Sequence, residues 1–145
     1  MHRSLSPDVP VGTLYSLLRL RIEVFVVEQE CPYQELDGRD LDVETRHFWL
    51  SPQERTEEVQ AYLRLVEQPG GRFRIGRVCV AQHARRKGAA RRLMEAALGE
   101  VGDGACVLDA QSDLTGIYTA FGFEPDGEEF TEDGIAHTPM RRTIR

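Results

Sequence analysis

Residues 75–98 read IGRVCVAQHARRKGAARRLMEAAL, and this stretch decides the fold. The apolar residues up to Ala81 predict a strand, and the polar, basic segment 82–87 predicts a loop that ends at Gly88. Apolar residues then recur at spacings of three and four, which predicts an amphipathic helix. Backbone N–H groups and the positive end of the helix dipole meet at such a helix start. The unit therefore predicts a cradle for a phosphate group.

The loop and the first helical turn combine positive charge with little side-chain bulk, in Arg85, Arg86, Lys87, Gly88, Ala89 and Ala90. They match neither the Walker A pattern nor the GxGxxG pattern of dinucleotide-binding folds. Two other interpretations of a basic segment remain open at this point. It can be a solvated helix start, or a nucleic-acid site.

Charge is distributed unevenly along the 145 residues, whose net charge is −6. Residues 72–92 hold eight basic residues and no acidic one. Residues 28–44 and 124–133, in contrast, are strongly acidic. The acidic total disfavours nucleic acid and anionic membranes as partners, and the basic block favours an anionic ligand. The acidic segments would favour a cationic second ligand if they border the same cleft.

Length and composition indicate one globular domain, covering residues 1–145. No apolar run is long enough to span a bilayer, and the first residues do not resemble a secretory signal.

The three cysteines are far apart and lack zinc-site spacing, which predicts free thiols in a reducing, cytoplasmic compartment. Asp37, Asp40 and Asp42 do not match a calcium loop, so we expect no metal.

The remaining elements follow from periodicity and turn signals. A helix that Thr13 can cap begins the ordered chain and frays near residues 24–27. Strands are predicted at 46–50, 59–67, 72–81 and 106–110, a short helix at 114–121, and a hairpin at 128–143 around Glu132, Asp133 and Gly134. This order predicts a mixed sheet with helices on its faces.

Four segments together resemble the GNAT N-acetyltransferases. Arg85, Gly88 and Ala90 fill the family motif R/Q-x-x-G-x-G/A, and IYTAFGF at 117–123 looks like the family segment Y-x-x-x-G-F. RIEVFVVEQECPY at 21–33 and EDGIAHTPM at 132–140 are similar to the ElaA branch of that family. The resemblance covers roughly residues 13–140, and the order and spacing of the motifs make it specific.

The resemblance implies an α+β, three-layer fold: a mixed, mostly antiparallel sheet of about six strands, with helices on both faces. The family's first strand would be short or missing here. Acyl-CoA, with acetyl-CoA as co-substrate, would lie between strands 4 and 5. Val78, Cys79 and Val80 would pair with the pantetheine arm, residues 85–90 would hold the pyrophosphate, and Gln111 would face the cofactor.

By the same resemblance, an amine attacks the thioester directly in a ternary complex. The Val80 N–H would stabilise the oxyanion, and Tyr118 would protonate the departing thiolate. Without the motif, Tyr118 would be interpreted as a packed aromatic residue. The general base is left open between four residues and water: Glu35, Asp37, His47 and His137. Cys31 has acidic neighbours that disfavour a thiolate, so a covalent route is not expected.

Two functions from different classes therefore stand. The first is an N-acetyltransferase acting on a small-molecule or peptide amine. The second is a non-catalytic acyl-CoA-binding or regulatory module on the same fold, because a cofactor cradle does not guarantee turnover. The resemblance is also compatible with a homodimer.

Overall fold

The computed structural model describes residues 1–55 and 58–142. Within these ranges it has eight strands: β1 His2–Leu5, β2 Thr45–Leu50, β3 Ala61–Gln68, β4 Arg72–Val80, β5 Cys106–Gln111, β6 Phe123–Pro125, β7 Phe130–Glu132 and β8 Ile135–Arg142. They form one sheet in the order β1-β2-β3-β4-β5-β8-β6, with β7 paired to β8. Only the β4–β5 pairing is parallel. The prediction of a mixed, mostly antiparallel sheet is confirmed.

Three α-helices accompany the sheet: α1 Val11–Ile22, α2 Ala89–Val101 and α3 Thr115–Thr119. Thr13 does not cap α1, since the cap position is Pro10 and Thr13 lies inside the first turn. The chain also does not fray after Ile22. It continues as a π-helical segment, Glu23–Glu28. Val24 is buried against the sheet, and this packing overrides the weak helix propensity of the β-branched run.

The two faces of the sheet are covered by different helices, as predicted. Leu93, Met94 and Ala97 of α2 pack in the larger apolar cluster, which includes Leu63 and Leu108. A smaller cluster forms under α1 and the π-helical segment, and it contains Leu17, Leu20, Val24, Trp49, Tyr62 and Cys79. Burying one stripe of each helix against one face of the sheet produces the three layers.

The sheet is larger than the sequence predicted. A first strand is present, because β1 pairs antiparallel with β2 from His2 opposite Trp49 to Leu5 opposite Arg46. The three-residue strand β6 was not predicted and pairs with the end of β8. Both strands are too short to show a period-two pattern, so the count rises from about six to eight.

A bulge in β4 shapes the centre of the sheet. Tyr62 lies opposite Cys79 and Arg64 opposite Gly76, so two residues of β4, Arg77 and Val78, face one residue of β3. Arg77 has a left-handed backbone, with φ of 56°. Beyond this point β4 no longer follows β5, whose parallel pairing is confined to Phe73 with Cys106 and Arg74 with Val107. The two strands therefore diverge and leave a wedge-shaped gap.

Candidate functional site

A cavity of about 470 Å³ occupies the gap between β4 and β5. The bulged half of β4 forms one wall, and β5 and α3 form the other. The π-helical segment and the β7–β8 hairpin close its far side. The cavity exists because the bulge separates two neighbouring strands in the middle of a sheet, where side chains and backbone groups would otherwise be paired.

The Val80 amide faces this gap. Ala81 N–H donates to Gln60 O at 2.8 Å, while Ala61 lies directly opposite Val80. Ala61 and Val80 therefore form a non-hydrogen-bonded antiparallel pair, in which the N–H and C=O of both residues point away from the partner strand. The Val80 carbonyl accepts from Arg85 Nε at 3.0 Å on that outer side. The Val80 N–H is thus directed toward β5 and is available to a ligand in the gap.

The predicted phosphate cradle lies at one end of the gap. Helix α2 begins at Ala89, and no side chain caps its first N–H groups. Arg86 and Gly88 both have positive φ, 65° and 76°, so the loop curls back on itself and exposes its amides. A Cβ built on Gly88 meets no atom within 4 Å, which leaves open space in front of these donors. Arg86 and Lys87 are exposed and bring positive charge.

Arg85 is used differently from the rest of the cradle. Its Nη1 and Nη2 bind the Glu28 carboxylate at 2.7 and 2.8 Å, in addition to the bond from Nε to Val80 O. The hydrogen bond from Arg85 lowers the pKa of Glu28 below its usual value. Arg85 therefore ties the π-helical segment to the end of β4. The sequence motif predicts Arg85 at the pyrophosphate but does not reveal this competing carboxylate, which is 57 residues away along the chain.

The other predicted cofactor contacts line the same cavity. Val78, Cys79 and Val80 lie on the β4 wall, and Gln111 lies at the end of β5. The side-chain amide of Gln111 donates to Gln29 Oε1 at 3.3 Å, which joins β5 to the residue that follows the π-helical segment. Burial raises the pKa of the Cys79 thiol well above its usual value, so Cys79 is a packed neutral group.

Tyr118 brings a phenol to the cavity from the opposite wall. It belongs to α3, the next α-helix after β5. It packs against the larger apolar cluster and also lines the cavity. Burial is the main cause that raises its pKa to about 12, with the neighbouring Cys79 adding to the shift. Tyr118 consequently stays protonated at neutral pH and can donate a proton.

Three of the four predicted base candidates lie outside the cavity lining. Glu35 is buried and accepts from Arg21 Nε at 2.6 Å and from Arg77 Nε at 2.9 Å. Asp37 is paired with Arg64; burial raises its pKa, but the hydrogen bonds from Arg64 and from the Arg39 amide outweigh this and lower the pKa overall. These carboxylates are held as ion-pair partners.

His47 is a buried structural residue. Its Nε2–H donates to Asp40 O at 3.0 Å, and its Nδ1 accepts from the Tyr62 hydroxyl at 2.5 Å. Burial lowers its pKa below the usual value. Of the four candidates, only His137 lines the cavity.

An ionic cluster fixes the loop beside the cavity. It consists of Arg21, Arg64 and Arg77 with Glu35, Asp37 and Asp40, so its formal charges cancel. Arg21 is 0% exposed and lies over the Tyr62 ring. The sequence indicated Glu35 and Asp37 as candidate bases, and it missed Arg77 in the cavity wall. The signal available for Arg77 was Gly76, since a glycine within a strand often marks a bulge.

Within residues 1–55 and 58–142, no group of three or more His, Cys, Asp or Glu side chains is placed to hold a metal ion. In the same ranges no helix is long and apolar enough to cross a membrane. Cys31, Cys79 and Cys106 are all buried as free thiols. Cys31 donates its Sγ–H to Asp133 O at 3.2 Å and joins the loop after the π-helical segment to the β7–β8 turn.

A sheet that opens between β4 and β5 beside an uncapped helix start is the arrangement that the sequence resemblance implies. A family model described as an acetyltransferase (GNAT) domain matches residues 18–144. The chain therefore belongs to the GNAT acetyltransferase family.

Its relatives include ElaA and UPF0039 proteins. A UPF0039 protein of Mycobacterium tuberculosis is 53% identical, over 98% of this chain and 92% of the relative. The crystal structure of an acyl-CoA N-acyltransferase from Pseudomonas aeruginosa superposes with a TM-score of 0.90 at 40% identity, covering 98% of this chain and 97% of that one. The crystal structure of Escherichia coli ElaA gives 0.88 at 36% identity, with 97% of each chain covered. The resemblance to the ElaA-like branch is confirmed.

Proposed function

We propose that this protein transfers the acetyl group of acetyl-CoA to a primary amine, by direct attack within a ternary complex. The observation that carries the proposal is the meeting of two groups in one cavity. The Val80 amide faces the gap from one wall and the Tyr118 phenol from the other, beside the open phosphate cradle. The name of the Pseudomonas aeruginosa relative, an acyl-CoA N-acyltransferase, supports the same cofactor class.

The cofactor would be held in three places. The uncapped amides of Ala89 and Ala90, with Arg86 and Lys87, would bind the pyrophosphate. Gly88 would allow the phosphate to approach the backbone closely. The pantetheine arm would then run along β4 at Val78, Cys79 and Val80 toward Gln111, filling the gap that the bulge leaves. Arg85 would keep its bridge to Glu28 and hold the end of β4 in place.

The chemistry assigns one task to each wall. The amine nitrogen attacks the thioester carbonyl carbon, and the carbonyl oxygen becomes negative. The Val80 N–H donates to this oxygen, and a fixed donor of this kind lowers the barrier because it requires no reorganisation. The C–S bond then breaks, and Tyr118 gives its proton to the sulfur. Its raised pKa keeps the proton available across the physiological pH range.

The acceptor would enter from the side of the acidic β7–β8 hairpin. Glu132 and Asp133 line the cavity there, and among the described residues neither forms an ion pair. A negative mouth favours a small-molecule or peptide amine that carries positive charge. The proposal also includes a single domain over residues 1–145, a cytoplasmic location and the formation of a homodimer. The buried free cysteines support a reducing compartment.

The experiment measures thiol release from acetyl-CoA across a panel of amines, together with CoA binding by calorimetry. We expect amine-dependent release in the wild type. Tyr118→Phe is expected to lower kcat by about a hundredfold and to leave CoA affinity within about twofold, since one proton donor is removed. Tyr15→Phe is the matched control, because Tyr15 is exposed on α1 and lies outside the cavity lining.

The same experiment separates the second candidate function. Intact CoA binding with no release above background for any amine would favour a non-catalytic acyl-CoA-binding module. Binding of an oligonucleotide that salt displaces and CoA does not displace would instead favour the nucleic-acid interpretation of the basic loop.

A further inference from the structure

We propose that His137 is the general base that removes a proton from the acceptor amine before it attacks. The inference rests on the proposed acyl transfer, because an amine is protonated at neutral pH and must become neutral to act as a nucleophile. Glu35 and Asp37 are ion-pair partners in the cluster, and His47 is buried with hydrogen bonds to Asp40 and Tyr62. None of the three lines the cavity. His137 lies on β8 opposite Gln111, at the point where β5 borders the gap.

The ring nitrogens of His137 have different surroundings. Nδ1 lies 2.9 Å from Ile135 O, and a carbonyl can only accept, so Nδ1 carries the hydrogen in the neutral ring. Nε2 then holds the lone pair. Within residues 1–55 and 58–142, no group hydrogen-bonds Nε2, and the residue lines the cavity. The backbone carbonyl thus selects the tautomer that a base requires.

The ring is also held in orientation. Phe130 of β7 stacks on it, with the ring centroids 5.6 Å apart and the planes 19° apart. Phe130 is the register partner of His137, so the stack follows from the hairpin pairing itself. A stacked ring with one nitrogen fixed by the backbone loses little conformational freedom when it receives a proton, which suits proton transfer.

The charged and titratable groups around His137 come from every element that borders the cavity. They are Glu28 on the π-helical segment, Cys31 and Tyr33 on the loop that follows it, Arg77 and Cys79 on β4, Arg85 after β4, Asp109 on β5, Tyr118 on α3, and Glu132 and Asp133 in the β7–β8 hairpin. Glu28 and Arg85 pair with each other. Asp109 is paired with Arg74, and Arg77 with Glu35 and Asp37. Glu132 and Asp133 supply negative charge, which would draw an ammonium group toward His137.

The step balances with His137 and Tyr118 as the two groups that transfer protons. The ammonium gives one proton to His137 Nε2, and the neutral nitrogen forms the C–N bond with the thioester carbon. The C–S bond breaks, and Tyr118 protonates the sulfur. The nitrogen, which still carries one proton more than the amide needs, gives that proton to the Tyr118 phenolate and restores the phenol. His137 finally releases its proton to solvent. The products are the amide, CoA thiol and one proton.

The test compares pH profiles of kcat/KM for an amine that the wild type acetylates. His137→Asn keeps an N–H near the position of Nδ1 and removes Nε2. We expect kcat/KM at pH 7 to fall by about a hundredfold. Activity should then rise with pH as the free amine loses its own proton, and CoA affinity should stay within twofold. His2→Gln is the matched control, since His2 lies in β1 at the far edge of the sheet.

The assignment is overturned if His137→Asn keeps both the wild-type kcat/KM at pH 7 and the wild-type decrease of kcat/KM at acidic pH. If His137→Asn lowers stability, His137→Ala decides: restoration of turnover by added imidazole supports the base role, and no restoration overturns it. A wild type that acetylates no amine would overturn the acyl-transfer proposal instead, so the two failures are distinguishable.

Discussion

Replacement of Arg21 by methionine should destabilise the protein strongly, because Arg21 is the most deeply buried charge of the ionic cluster. Its guanidinium is 0% exposed. It donates to Glu35 Oε2 at 2.6 Å and to Asp40 Oδ1 at 2.5 Å. Methionine fills much of the same space but donates no hydrogen bond, so two buried carboxylates each lose one partner.

The magnitude follows from what these carboxylates retain. Removing one partner of a buried ion pair destabilises by about 3–5 kcal/mol. Glu35 still has Arg77 at 2.9 Å, and Asp40 still has Arg64 at 3.2 Å. We therefore expect the lower end, about 3 kcal/mol, which for a chain of this size lowers Tm by roughly 6–12 °C.

The assay is urea unfolding at pH 7, with Arg19→Met as the matched control. Arg19 lies on the same helix, but its side chain is 71% exposed and its ion pair with Glu23 is on the surface, so we expect a change below about 0.5 kcal/mol. The double variant Arg21→Met, Asp40→Asn should recover part of the loss, since it leaves two arginines, Arg64 and Arg77, with two carboxylates, Glu35 and Asp37. If Arg21→Met and Arg19→Met unfold at the same urea concentration, the reasoning is refuted.

Three further predictions concern the cradle, the acid and the buried histidine. Gly88→Glu should raise the Kd for CoA at least about tenfold in calorimetry, because it places a like charge and a strained φ beside the pyrophosphate; Gly99→Glu, at an exposed position of α2, should not. Because the pKa of Tyr118 is about 12, kcat/KM should show no alkaline loss up to pH 10, and a limb below pH 10 would contradict its role as acid. The pKa of His47 is lower in the folded state than its ordinary value of about 6.5. The contribution of His47 to the free energy of unfolding is therefore fully present above about pH 6.5 and is lost as the pH decreases below it. Urea unfolding at pH 7.5 and 5.5 should show this slope, and His47→Gln should lose it.

Local signals predicted the elements that carry the cofactor motif. The apolar period of residues 90–101 and Gly88 placed α2 almost as observed, and the apolar residues up to Ala81 placed β4. The hairpin around Asp133 and Gly134 also has its turn where the sequence predicts it. Each of these signals is contained within a few residues, so no distant partner is needed to recognise it.

Short or non-local features could not be predicted in the same way. Strands β1 and β6 have four and three residues and are stabilised by their neighbours in the sheet. The π-helical segment depends on Val24 packing against the sheet face. Arg85 satisfies the motif, but its contact with Glu28 exists only because the fold brings the π-helical segment to the end of β4.

The sequence by itself therefore determined the family, the order of the main elements and the position of the uncapped helix start after Gly88, because loop, glycine and helix start lie next to one another in the chain. Only the tertiary structure decided which titratable residues face the cavity. Glu35, Asp37, His47 and His137 are equivalent as sequence candidates. Burial costs an ionised group its hydration unless partners compensate, and the partners Arg21, Arg64 and Arg77 come from three separate elements. These ion pairs hold Glu35 and Asp37, while burial and hydrogen bonds to Asp40 and Tyr62 hold His47. Of the four candidates, His137 is the one left in the cavity wall.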